Sequence, residues 1–182
     1  MGDAVAVTLG RSGLAWGRGE HAPHAGLQKR EGDGKSPSGV YSFGNIFGYA
    51  PASEVSFKMP FVTADEALEC VDDSGSRFYN QLVDNKSAKK DWTSSEFMRR
   101  SDHQYRWGIV VKHNTPAAAQ AGSCIFLHIW NKPGAATSGC TAMAEGDLLT
   151  LLHWLDPAKF PQLLQVTEAD YPAFRKQFEL PE

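Results

Sequence analysis

The chain has 182 residues, a net charge of −3 at pH 7, 42% hydrophobic and 21% charged residues. These values exclude a wholly disordered chain and lead us to expect a single domain over residues 1–182, with a core that needs no metal to fold. Lys and Arg total 18 against 21 Asp and Glu, so the basic excess of a duplex-binding protein is missing and no nucleic-acid partner is expected.

The 17 Gly and 10 Pro point to a turn-rich, mainly β fold. The longest apolar runs fall far short of the roughly 18 residues that span a bilayer. The N-terminus lacks a basic stretch followed by an apolar one, so no signal peptide is expected, and Ala6 stands where myristoylation needs Ser or Thr.

In chain order, residues 4–9 read as a short strand, with residues 14–16 as its pairing candidate. Residues 29–39 (KREGDGKSPSG) read as a polar loop opening on a solvated turn, and a strand resumes over residues 40–43. Residues 66–73 and 78–83 are further strands. The charged stretch 85–100 ends in a short helix over 94–100, capped by Ser94 or Ser95, with Arg99 and Arg100 at its solvated end. Residues 105–113 and 123–130 are the most strand-like runs, separated by a loop over 117–122. Leu148, Leu149, Leu151, Leu152 and Leu155 recur at helical spacing over 145–155, ahead of Pro157. A last strand over 162–166 precedes a helix start at Thr167 and Asp170, with Pro172 in its first turn. Strands do not alternate with helices, so a doubly wound parallel sheet is excluded in favour of a sandwich or barrel with one or two peripheral helices.

Three cysteines leave at least one unpaired within the chain. A Cys70–Cys124 pair with Cys140 left over is arithmetically open. So is a pair of buried thiols acting as small apolar residues.

The chemistry concentrates around His128 and Cys140. Alternation over residues 123–130 puts Cys124, Phe126, His128 and Trp130 on one face, with His128 near the strand end. A loop over 131–136 returns to Thr137-Ser138-Gly139-Cys140, where Gly139 frees the backbone to bring amides close to a ligand. A cysteine there can attack a carbonyl while neighbouring N–H groups face the oxyanion, and an imidazole about 3 Å away would take the thiol proton. Singly, a strand His is usually structural and a loop Cys inert; the ordered pair is the stronger signal.

In these residues the chain resembles the L,D-transpeptidase catalytic domain, the YkuD-like family. That family carries a His at a strand end, a variable loop, then Ser/Thr-x-Gly-Cys, as in His128 and Thr137-Ser138-Gly139-Cys140. Its earlier Lys-Thr-Pro-x-Gly turn is matched by Lys35-Ser36-Pro37-Ser38-Gly39, and the likeness covers residues 4–157. The chain departs from it in three places. Ser138 stands where many members have His, Ala142 where many have Arg, and Ile129 where many have Gly or Ser. The resemblance implies a YkuD-like β-sandwich or barrel of mixed sheets. It also implies an acyl-enzyme on Cys140 formed from a peptidoglycan stem peptide, with His128 as base and acid and the terminal D-alanine leaving. Transfer to an acceptor amine makes a transpeptidase; transfer to water makes an L,D-carboxypeptidase. Gly139, Cys140 and Ser138 are the expected oxyanion donors, and carbapenem-type β-lactams the expected inhibitors. No cofactor or metal is implied, and the location is periplasmic or at the cell envelope.

Other polar residues are candidates for the cleft. Thr137 belongs to the Cys block, Trp130 shares a face with His128, and Tyr79-Asn80 and His113-Asn114 sit at strand ends. Asp73, beside Asp72, can meet a substrate amine. The ordinary readings are a core aromatic, turn residues and a solvated turn. Papain-like amidases place Cys before His, and sortases carry a different Cys strand. His21-x-x-His24 lacks an acidic companion for zinc. A non-catalytic cell-wall-binding module is the alternative from a different class.

Overall fold

The computed structural model describes residues 2–180; Met1, Pro181 and Glu182, the ends of the expected domain, lie outside the described residues. The strands are β1 (Val7–Thr8), β2 (Leu14–Trp16), β3 (Ser36–Gly48), β4 (Phe61–Thr63), β5 (Leu68–Val71), β6 (Leu82–Asp84), β7 (Ser95–Phe97), β8 (Trp107–Val111), β9 (Phe126–Ile129), β10 (Thr141–Met143) and β11 (Gln162–Gln165). The helices are α1 (Glu145–Trp154) and α2 (Tyr171–Phe178). The fold is mainly β, as expected, and its mixed sheets do not close into a barrel among the described residues.

The large sheet runs β1-β10-β9-β8-β3-β11, with β2 and β4 also on β3. Strand β9 is antiparallel to β8 and parallel to β10, with His128 opposite Ala142. A smaller sheet, β6-β5-β7, packs beside it. Alternation then sorts the side chains. Leu127 and Ile129 join Ile109, Val111, Met143, Leu148, Leu152 and Leu155 in one core. Phe126 joins Phe47, Leu68, Met98, Tyr105 and all three cysteines in the other. Leu148, Leu152 and Leu155 are fully buried, and each contributes roughly 1.5–3 kcal/mol to holding α1 on the sheet.

Several local expectations yield to tertiary pairing. Strand β2 pairs in parallel with β3, not with β1, which lies on β10. The expected helix over 94–100 is β7, because residues 95–97 add to the edge of β5. Ser95 Oγ donates to the buried Glu69 carboxylate instead of capping a helix, and Trp92 Nε1 donates to the same group at 2.8 Å. Arg100 is correspondingly not a solvated end: it binds Asp102 at 2.8 Å and lies over the Tyr105 ring. Residues 78–81 form a turn, with Asn80 at φ 63°, and the strand starts at Leu82.

The loop over 29–39 is shorter and drier than its composition suggests. Asp33 accepts from Arg30 N at 2.8 Å, Lys35 N at 2.9 Å and Lys29 Nζ at 2.6 Å. That closes the turn by residue 35, so β3 begins at Ser36 and Lys29 is buried at 6% exposure. Cys70 and Cys124 form a disulfide, with their Cα atoms 6.0 Å apart, which settles the open pairing against two free thiols. The bond ties the small sheet to the segment entering β9, and Cys140 remains a buried free thiol.

Candidate active site

The turn before β10 is held by hydroxyls at both sides of the Cys140 carbonyl. Thr137 Oγ1 donates to that oxygen at 2.6 Å, and Ser36 Oγ donates at 3.0 Å. Thr137 Oγ1 also accepts the Gly139 N–H at 3.1 Å, so this expected oxyanion donor is engaged within the turn. Gly139 adopts φ +154°, and a Cβ there would lie 3.1 Å from the Lys35 carbonyl oxygen. A side chain at 139 would therefore push apart the two sequence blocks that meet at this point. Ser138 is exposed, and its hydroxyl accepts from Arg11 Nη1 at 3.0 Å.

This turn drives the Cys140 side chain inward. Its sulfur accepts the Phe126 N–H at 3.3 Å and lies 3.5 Å from the Cys124 carbonyl, to which the thiol donates. Burial pushes the thiol well above its ordinary pKa, and the Glu96 carboxyl adds to the effect, against the opposing pull of the Phe126 amide. The resting group is thus a neutral thiol, with one backbone N–H already placed to support a thiolate.

His128 projects from the same face of the sheet. It lies opposite Ala142, one strand over and two residues along from Cys140, so the two Cα atoms are about 8 Å apart by strand geometry. Its Nδ1 lies 2.8 Å from the Ile129 carbonyl. A carbonyl can only accept, so Nδ1 carries the proton and Nε2 keeps its lone pair. The group that orients the ring, not identifiable from the sequence, is therefore the carbonyl of its own neighbour. Burial lowers the His128 pKa to about 4, which leaves the ring neutral near pH 7.

A cavity of about 300 Å³ is lined by Ser138, Gly139, Cys140, Cys124, Ile125 and Tyr105. Its charged lining consists of Lys29, Glu31, Asp72 and Glu96. His128 meets this wall through Tyr105, whose ring stands edge-on to the imidazole at 5.2 Å. Tyr105 Oη donates to Glu96 Oε1 at 2.6 Å, and burial raises the pKa of the Glu96 carboxyl.

The remaining expected residues take other places. Trp130 is half-buried, its backbone N–H donates to the Met143 carbonyl at 3.0 Å, and it is not part of the cavity lining. His113 is buried against Tyr41, accepts the Arg18 N–H at 3.2 Å, and burial lowers its pKa to about 4. Asn114 bonds the Ala118 and Gly122 carbonyls at 3.0 Å each. Asn80 bonds the His113 carbonyl at 2.8 Å and accepts the Cys124 N–H at 2.9 Å, bracing the entry to β9. Tyr79 donates to Glu31, fixing one cavity carboxylate from behind. Asp73 accepts Thr93 N and Oγ1 at 2.8 Å each, and it is the neighbouring Asp72 that faces the cavity. Sequence reading missed Tyr105, Glu96, Glu31 and Lys29. Nothing in the local pattern marks the first two, while the acid and base pair of the loop carried a signal only as charges next to Gly.

Fold and site together define a mainly β protein with a buried Cys/His pair beside a polar cavity. The chain belongs to the YkuD family: the model of the L,D-transpeptidase catalytic domain matches residues 4–166. Membership places it among peptidoglycan-modifying, transpeptidase-type proteins. No curated protein and no solved structure matches the chain.

Proposed function

We propose that the protein is a cysteine-dependent L,D-transpeptidase that forms an acyl-enzyme on Cys140 from a peptidoglycan stem peptide. The observation that carries this reading is the placement of Cys140 in the lining of the cavity, on the sheet face shared with an imidazole whose Nε2 is unprotonated. As Sγ attacks the scissile carbonyl, its proton passes to His128 Nε2. The tetrahedral oxyanion collapses, and the imidazolium returns the proton to the departing amine of the terminal D-amino acid. An acceptor amine then displaces Cys140 to give a cross-link. Water in its place gives the carboxypeptidase outcome.

Phe126 N–H supports the sulfur as it ionises. Tyr105 lines the cavity and packs edge-on against the imidazole, and Ser138 with the Cys140 N–H are the oxyanion donors in this scheme. Removing one oxyanion donor typically costs about 10²–10³ in rate. Carbapenem-type β-lactams acylate the same sulfur in this reading. The Cys70–Cys124 bond supports a periplasmic or envelope location, since disulfides persist in oxidising compartments.

The test is incubation with a stem tetrapeptide ending in D-alanine, with and without an acceptor amine. Release of D-alanine by wild type and its loss in Cys140→Ala support the reading, and product partition separates transfer from hydrolysis. No turnover of stem peptides by wild type would favour a non-catalytic wall-binding module.

A further inference from the structure

Lys29 is a buried ammonium at the wall of the nucleophile's cavity, ion-paired with Asp33 at 2.6 Å and with hydrogen-bonding capacity beyond that pair. Its side chain is only 4% exposed. Two of its three N–H groups go to the Arg30 carbonyl at 2.7 Å and Asp33 Oδ1 at 2.6 Å. Asp33 already closes the turn through the Arg30 and Lys35 backbone N–H groups, so the turn has its own bonds without the lysine. A Cβ built on Gly139 would lie 3.9 Å from Lys29 Nζ, which places the ammonium beside the Gly139–Cys140 turn.

The other charged groups of that lining are Glu31, Asp72 and Glu96, so Lys29 is its single cation. Glu31 already accepts hydrogen bonds from Tyr79 and from Ser123 Oγ at 2.8 Å. Strand β10, Thr141–Met143, carries no Lys or Arg of its own.

We propose that Lys29 is a specificity-determining residue whose third N–H binds the free carboxylate of the leaving terminal amino acid. This rests on the reading of Cys140 as an acyl-forming nucleophile. When Sγ meets the scissile carbonyl carbon, only a nitrogen and a Cα separate that carbon from the carboxylate of a C-terminal residue. The carboxylate therefore falls within about 4 Å of the reacting carbon. A cation beside Gly139, on the wall of the cavity that Cys140 also lines, is placed to meet it. It makes the site select a chain end over an internal bond, because an internal bond or an amide presents no charge there.

The experiment compares a stem tetrapeptide ending in D-alanine with the same peptide carrying a C-terminal carboxamide, in wild type, Lys29→Met and Lys29→Arg. A charge-assisted hydrogen bond corresponds to roughly ten- to hundredfold in kcat/KM. Wild type is expected to prefer the acid by about tenfold or more. In Lys29→Met the acid-to-amide ratio collapses towards one, and in Lys29→Arg most of the preference survives. A purely structural lysine would lower both substrates together and leave the ratio intact, which would overturn the proposal. Equal use of acid and amide by wild type overturns it without any variant, so a misfolded Lys29→Met does not shield it. Turnover of neither peptide by wild type would instead overturn the acyl-enzyme reading on which the proposal rests.

Discussion

Raising the pH from 6 to 8.5 is expected to increase the rate of Cys140 alkylation by iodoacetamide about tenfold per unit, with no plateau near neutrality. Burial holds His128 at about 4 and lifts the Cys140 thiol above its ordinary range. At pH 7 an imidazole of that pKa is protonated in about one molecule in a thousand, a bias of about 4 kcal/mol against the imidazolium. Even an unperturbed thiol near 8.5 would be only about 3% ionised at that pH. The resting pair is therefore neutral, and a preformed thiolate–imidazolium pair is a minor species. The assay is intact mass against time without reductant, which keeps Cys70 and Cys124 bonded and leaves Cys140 as the reactive thiol. A rate that is flat between pH 5 and 7 and becomes pH-dependent in His128→Gln would show a preformed ion pair and refute the argument.

Acid should weaken the fold before the carboxylates titrate. His113 and His128 have folded pKa values of about 4, below the ordinary histidine value, so the unfolded chain binds more protons between those limits. Their contribution is complete above about pH 6.5 and falls as pH drops towards 4, by about 2 kcal/mol per imidazole between pH 7 and 5. The raised Glu96 carboxyl works in the opposite sense. Urea unfolding at the two pH values checks this; equal midpoints would contradict it. Breaking the Cys70–Cys124 bond, which closes a separation of 54 residues, should cost about 4 kcal/mol and lower Tm by roughly 10 °C in Cys70→Ser. An unchanged melt would show that the two sheets dock without it. Gly139→Ala should lose most activity at Cys140, because its Cβ meets the Lys35 carbonyl; full activity would mean that the turn's conformation is dispensable.

What could be read from the sequence divides by the range of the forces involved. The leucine spacing of α1, the apolar runs of β8 and β9 and the His-loop-Cys order are local signals; β8 and β9 lie inside the expected runs but are shorter, with Cys124 at φ 54° outside β9. Ser95–Phe97 carries a local cap signal but obeys a distant strand edge and the buried Glu69 carboxylate. Lys29 reads as solvated because charge in a polar, Gly-rich loop usually is, and the Asp33-centred turn supplies the partner that its burial requires. Tyr105 and Glu96 enter the cavity from segments that no spacing connects to Cys140. The disulfide joins residues 54 apart in the chain, and an odd cysteine count alone cannot pair them.

The central claim is that Cys140 is an acylatable nucleophile. Its most direct test is intact mass after incubation of the oxidised protein with a carbapenem, in wild type and Cys140→Ala. A one-to-one covalent adduct is expected on wild type, mapped to the peptide containing Cys140 and missing from Cys140→Ala. An adduct that persists in Cys140→Ala, or none on wild type under conditions in which stem peptides also go unreacted, would contradict it.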